Sequence, residues 1–231
     1  MKNLKRHLIF SLIIASATFS SCELDNYDEP NASISGGIYD YETKELVRQD
    51  IVSGAQIEYI EHGYNNPETQ FQIIKSDGTY MNTLMFANTY TMHLLRGNFV
   101  PIEEQEIVVK GNTVLNFDVQ PYIRVKNSKI EKVGNKIVAS FNIQQTVSNT
   151  VQRIGLYAHS QDYVGVNSRA VAVEQDLNVV TNESTVYTLE IDLEANKNEL
   201  KPGKQYYFII GALINASEAK LNYAAPIRIT I

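Results

Sequence analysis

Tryptophan is absent from this chain and cysteine occurs once, as Cys22. A lone thiol has no partner for an internal disulfide, so no disulfide framework is expected. Histidine is scarce. His7, His62, His93 and His159 are far apart, with neither an H-x-H nor an H-E-x-x-H spacing, and no metal site is expected from them. Positive charge is in deficit, with 20 Lys and Arg against 26 Asp and Glu. A surface of that sign repels nucleic acid, and no Lys/Arg cluster outside the N-terminus interrupts it, which excludes a nucleic-acid role. Long apolar runs are also missing. The longest, Leu8 to Ala17, spans about ten residues and carries Ser11 and Ser16, whereas a membrane-spanning helix needs ~20. No Gly-x-Ser-x-Gly occurs, and the plentiful carboxylates single out no acid–base pair. The chain reads as a non-enzymatic protein without a cofactor or metal.

The N-terminus carries what the rest lacks. Lys2, Lys5 and Arg6 precede the short apolar run, and the small residues Ser20 and Ser21 follow it. That order describes a secretory signal over residues 1–21. The stretch Phe19-Ser20-Ser21-Cys22 resembles a bacterial lipobox, although Leu is usual where Phe19 stands. The resemblance implies cleavage before Cys22 and lipidation of Cys22, which makes the membrane a partner through that anchor. The other reading is an ordinary signal peptide with a chance cysteine. Stable anchoring takes more than one acyl chain, and a lipidated cysteine of this type carries two or three. Loss of residues 1–21 leaves 17 basic against 26 acidic residues, a net charge of −9. Residues 22–31 form an acidic tether, with Glu23, Asp25, Asp28 and Glu29 close together. It serves either as a solvated spacer or as a sorting signal, for it resembles the surface-export signal of Bacteroidetes-type lipoproteins.

Period-2 alternation dominates the remainder. Ile137, Ala139, Phe141 and Ile143 alternate with polar or small residues, as do Tyr187, Leu189, Ile191 and Leu193, and Tyr206, Phe208, Ile210, Ala212 and Ile214. This is the pattern of half-buried strands. At most one helical turn is expected, over Glu194–Leu200. The fold class is all-β, two consecutive β-sandwich domains over 32–120 and 121–231. In the first, Ser76-Asp77-Gly78-Thr79 predicts a tight hairpin. The pair "DGTY" and "FANTYTM", with the opening "SISGGIYDYETKEL" and its Asp40 and Thr43, resembles a carboxypeptidase regulatory-like, transthyretin-type sandwich. Asn88 stands where that pattern has glycine, and a left-handed conformation is expected there. In the second, Leu200-Lys201-Pro202-Gly203-Lys204-Gln205-Tyr206 resembles the tyrosine corner of fibronectin type III or immunoglobulin-like domains.

Ligand contact falls by elimination to tyrosines near loops: Tyr39, Tyr41, Tyr64 and Tyr163. Tyr64, beside Asn65-Asn66-Pro67, and Tyr163, after Ser160-Gln161-Asp162, are the candidate ligand-binding residues. They are rim or core tyrosines on the alternative reading. The segments "CELDNYDEPNA", "SDGTY" and "FDVQPYIRV" together resemble a domain-of-unknown-function (DUF) family of Bacteroidetes-type lipoproteins that accompany SusC/SusD-like outer-membrane uptake systems. The resemblance implies an outer-membrane location at the cell surface and a role in glycan capture. The alternative is a structural spacer or assembly partner of the transporter, without a ligand of its own.

Overall fold

The computed structural model describes residues 28–231. Cys22, the 1–21 signal and most of the tether lie outside the described residues. Sixteen strands and no helix make up the described chain. Glu194–Leu200 is a run of turns closed by the Leu200 N–H donating to the Asn196 carbonyl at 2.8 Å.

The first sandwich holds β1 (Ala32–Asp40), β2 (Gln56–Glu61), β3 (Thr69–Ile73), β4 (Thr79–Met85), β5 (Asn88–Leu95), β6 (Gln105–Val109), β7 (Asn112–Val114) and β8 (Phe117–Val119). One sheet runs β4-β1-β7, with β8 continuing along the same edge of β1. The other runs β3-β2-β5-β6. Ile34, Ile38, Ile57, Tyr80, Tyr90, Met92 and Phe117 fill the space between them. Two local expectations are corrected here. The Ser76–Thr79 turn closes locally, with the Gly78 N–H on the Lys75 carbonyl at 2.9 Å, but β3 and β4 belong to different sheets. It is a crossing between layers and not a hairpin. Gly78 is required twice over: its φ is +93°, and a Cβ there would sit 2.6 Å from the Val47 carbonyl oxygen. Asn88 has no positive φ. Its side chain explains the position instead, donating to Glu61 and to the His62 carbonyl, each at 2.9 Å.

The second sandwich holds β9 (Ile123–Val133), β10 (Lys136–Gln145), β11 (Val151–His159), β12 (Val171–Val179), β13 (Tyr187–Asp192), β14 (Gln205–Ile214), β15 (Asn222–Tyr223) and β16 (Ile227–Thr230). A three-stranded sheet, β13-β10-β9, faces a sheet ordered β12-β11-β14-β15, with β16 also on β14. The alternating sets on β10, β13 and β14 all point into one core. The Tyr206 hydroxyl accepts the Lys201 backbone N–H at 2.9 Å, the bond that a tyrosine corner makes. Tyr206→Phe strands that N–H, and denaturant unfolding should show the second sandwich weakened by roughly 1–3 kcal/mol.

Six polar or charged residues are buried among the described residues: Asp40, Gln49, Asp50, Asn98, Arg124 and Asn222. All six lie where the two sandwiches meet. Buried polar groups survive only when paired, and these are paired with each other or with neighbouring groups, most of the bonds crossing the junction. Arg124 on β9 grips Asp40 at the end of β1 with two bonds, Nε to Oδ2 at 2.5 Å and Nη2 to Oδ1 at 2.9 Å. Asn98 donates to the carbonyls of Arg48 at 2.7 Å and Leu221 at 2.9 Å, and accepts from Gln49 at 2.9 Å. Asn222 donates to the Asn98 carbonyl at 2.7 Å and accepts the Ile123 N–H at 3.1 Å. Asp50 accepts from the Tyr223 hydroxyl and from the Asn167 N–H.

Candidate functional site

Tyr64 and Tyr163 are both exposed, at 62% and 39%, but the fold does not bring them together. Tyr64 follows β2 in its turn to β3. The opposite end of β2 adjoins the junction, where Ser53 bonds Asn167 in the same loop as Tyr163. The six residues of β2 put about 20 Å between the two ends. The pair cannot form one stacking platform.

Tyr163 has company of its own. Its ring lies 5.6 Å from the His159 ring, tilted by 42°. His159 is the direct cross-strand partner of Tyr207, and the Arg228 guanidinium sits 5.9 Å from the centre of the Tyr207 ring. His159 Nδ1 accepts the Gln161 backbone N–H at 3.1 Å, which assigns the ring proton to Nε2. Tyr41 is exposed beside Glu42, whose carboxylate reaches Arg124 at 2.9 Å.

Two of the depressions that flank the junction bring together polar side chains of both sandwiches. The first, of about 100 Å³, is walled by Asp40, Arg48, Arg124 and Tyr223. Its Asp40, Arg124 and Tyr223 side chains are already committed to the joint. Burial pushes the Asp40 carboxyl up, but the Arg124 hydrogen bond, the Glu42 and Thr43 backbone N–H groups and the Arg124 charge outweigh it. The carboxyl therefore lies below its ordinary range. The Asp40 hydrogen bond in turn raises Arg124, against its burial. Burial raises the Tyr223 phenol well above its usual range.

The second is a cleft of about 550 Å³ on the outer face of the β3-β2-β5 layer. Its floor follows from the register: Phe71 lies opposite Glu58, which lies opposite His93. Phe71 is 54% exposed. On the inner side of the same strand, Gln70 accepts a bond from the Tyr59 hydroxyl at 3.0 Å. Strand β3 thus shows its apolar face to solvent. Gln56 continues the floor, and Ser53, Arg96 and, from the second sandwich, Lys220 form the rim. Glu58 lies 3.7 Å from His93 and Arg96 3.2 Å from Glu218. The Lys220 backbone N–H is fixed on the Gly97 carbonyl at 3.2 Å. Sequence reasoning alone misses this cleft. The signal present is the Gln-Phe-Gln-Ile alternation, which identifies a shared face without saying that it turns outward. No group of three or more His, Cys, Asp or Glu is placed to hold a metal among the described residues.

Two all-β sandwiches joined by a buried polar seam, with shallow mixed-polarity clefts beside the seam, define the class of protein. The chain belongs to the DUF3823 family. The family's N-terminal domain, a protein of unknown function by description, matches residues 32–120. Its C-terminal domain of unknown function matches residues 123–228. A candidate carbohydrate-binding protein from Bacteroides uniformis is 38% identical, covering 87% of this chain and all of its own, with a TM-score of 0.82. DUF3823 family proteins from Parabacteroides merdae and Bacteroides ovatus share the fold at 21% and 23% identity. Their TM-scores are 0.76 and 0.71, with 88% and 86% of this chain covered and 100% and 98% of theirs. No curated protein matches the chain.

Proposed function

We propose that this protein is a lipid-anchored, non-enzymatic accessory of the outer membrane that captures carbohydrate at the cell surface for a SusC/SusD-like uptake system. The observation that carries the reading is the relationship to the candidate carbohydrate-binding protein, 38% identical over its whole length and of the same architecture. The seam supports it, because binding groups set beside a rigid joint keep their geometry without ligand. The strand orders support a transthyretin-type first domain and a fibronectin-type second domain, both frames on which loops present binding groups. The lipobox at Cys22 and the acidic tether support the location.

A second reading, an assembly partner without a ligand, has its own support. Met81, Leu84 and Val114 are 56%, 73% and 69% exposed on the outer face of the β4-β1-β7 sheet. Met81 and Val114 flank Ser35 in one cross-strand row. Exposed apolar patches of this kind mark contact surfaces. A glycan array probed with the full chain separates the two readings. Binding to a defined glycan set supports capture, and a blank array with a transporter recovered from native membranes supports assembly. Cys22→Ala should move the protein from the membrane fraction to the soluble fraction, because the acyl chains supply the anchoring. Retention of the Cys22→Ala protein in membranes would reject the anchor. Protease added to intact cells should digest the wild type, and protection until lysis would reject the surface location.

A further inference from the structure

We propose that the cleft floored by Phe71 and Glu58 is a sugar-binding subsite for a neutral pyranoside, an assignment that rests on the carbohydrate-binding reading above. Its volume of about 550 Å³ falls within the roughly 300–1,000 Å³ of small-ligand sites. A sugar ring needs two things of a protein: a flat apolar surface for its C–H face, and planar polar groups for its hydroxyls. Phe71 supplies the first. It is half exposed on the outer face of an edge strand, where it has no packing role toward either core. A stacked ring recovers the burial that Phe71 lacks.

Gln56, Glu58 and Arg96 supply the second. An amide, a carboxylate and a guanidinium each present two polar atoms in a plane, the geometry that chelates neighbouring hydroxyls. The Gln56 amide and the Lys220 ammonium make no side-chain hydrogen bond or ion pair among the described residues, so both are free to turn to a ligand. The charges nearly cancel. Arg96 and Lys220 are balanced by Glu58 and by Glu218 beside Arg96, which favours a neutral sugar over an acidic one.

The backbone gives an independent sign. Arg96 has φ +34°, a left-handed conformation that a long side chain does not adopt by preference. Such outliers persist where the surroundings hold them, and they gather at ligand sites. Here the turn ends β5 and carries the guanidinium to the rim. Gly97 follows, and a Cβ there would lie 2.2 Å from the Phe99 ring. The Lys220 N–H on the Gly97 carbonyl then ties the second sandwich to the same turn. Both domains thus contribute to the cleft, and its shape depends on the seam.

The test is isothermal titration of the full chain with the neutral oligosaccharide that binds best on an array. Phe71→Ala, Arg96→Ala and, as a control at an exposed site away from the cleft, Val180→Ala are measured beside the wild type. Phe71 and Arg96 are both exposed, so their variants should keep the wild-type melting temperature. Phe71→Ala should weaken binding at least about tenfold, the size of a lost stacking contact, and Arg96→Ala several-fold. Val180→Ala should leave binding within about twofold. Wild-type binding that Phe71→Ala does not change would overturn the subsite and leave the carbohydrate reading standing. No sugar bound by the wild type at all would overturn both. Preference for uronic-acid or sialic-acid glycans, lost in Lys220→Ala, would overturn the neutral class.

Discussion

Asp40→Ala should destabilise the protein by about 3 kcal/mol, the lower end of the roughly 3–5 kcal/mol that follows loss of one partner in a buried ion pair. The Arg124 side chain is 8% exposed, and without Asp40 its charge stays buried. Glu42, 2.9 Å from Arg124 Nη2 and 56% exposed, offers partial compensation and holds the loss to that lower end. The pH dependence carries a definite sign. The Asp40 carboxyl in the folded protein lies below its ordinary value of 3.8. Its contribution is therefore present above the ordinary carboxylate range and lost as pH falls through the depressed value. Denaturant curves of wild type and Asp40→Asn should differ near neutrality and converge below about pH 4. Parallel curves down to pH 2 would contradict the pairing. The double variant Asp40→Leu with Arg124→Met should recover most of the loss, since a packed apolar pair removes the stranded charge.

Asn98→Ala should cost at least about 3 kcal/mol. Asn98 is fully buried, and its removal leaves the Arg48 and Leu221 carbonyls and the Gln49 amide without their partner. Each stranded group costs roughly 1–3 kcal/mol. Because the three partners belong to both sandwiches, the loss falls on the seam as much as on either core. Wild type should unfold in one transition, and Asn98→Ala should separate the melting of the two sandwiches. Asn98→Asp is the sharper variant. It replaces the donating NH₂ by an oxygen that faces two carbonyls, so it should be worse than Asn98→Ala at neutral pH. Acid should relieve part of that difference as the carboxyl gains a proton it can donate. An Asn98→Asp protein as stable as wild type at pH 7 would contradict the network.

The strands are legible in the amino-acid pattern because burial on one face writes a period of two. The alternating sets on β10, β13 and β14 all point inward. The tyrosine corner is legible because its chemistry is local: Lys201 and Tyr206 are five residues apart, and their bond closes within one turn. Asp40 and Thr43 mark a turn, and the turn forms, with the Glu42 N–H on Asp40 at 2.9 Å. What Asp40 does beyond the turn is not legible. Its partner Arg124 lies 84 positions away, and no local pattern records a contact at that separation.

Three features are decided by the tertiary structure alone. Alternation groups Phe71 with Ile73 on one face of β3, but only the register of β3 on β2, with Phe71 opposite Glu58 and Glu58 opposite His93, turns that face outward. The sequence Ser-Asp-Gly-Thr dictates a tight turn, because Gly78 alone tolerates its φ. Whether the strands on either side pair or part depends on which sheet each joins, a choice made by core packing across the sandwich. The separation of Tyr64 from Tyr163 is likewise a matter of which end of β2 meets the second domain. Composition and periodicity thus determined the fold class and the faces within each strand. The seam, the outward turn of Phe71 and the cleft beside it come from contacts between residues distant in the chain, where one side chain's burial depends on another's position.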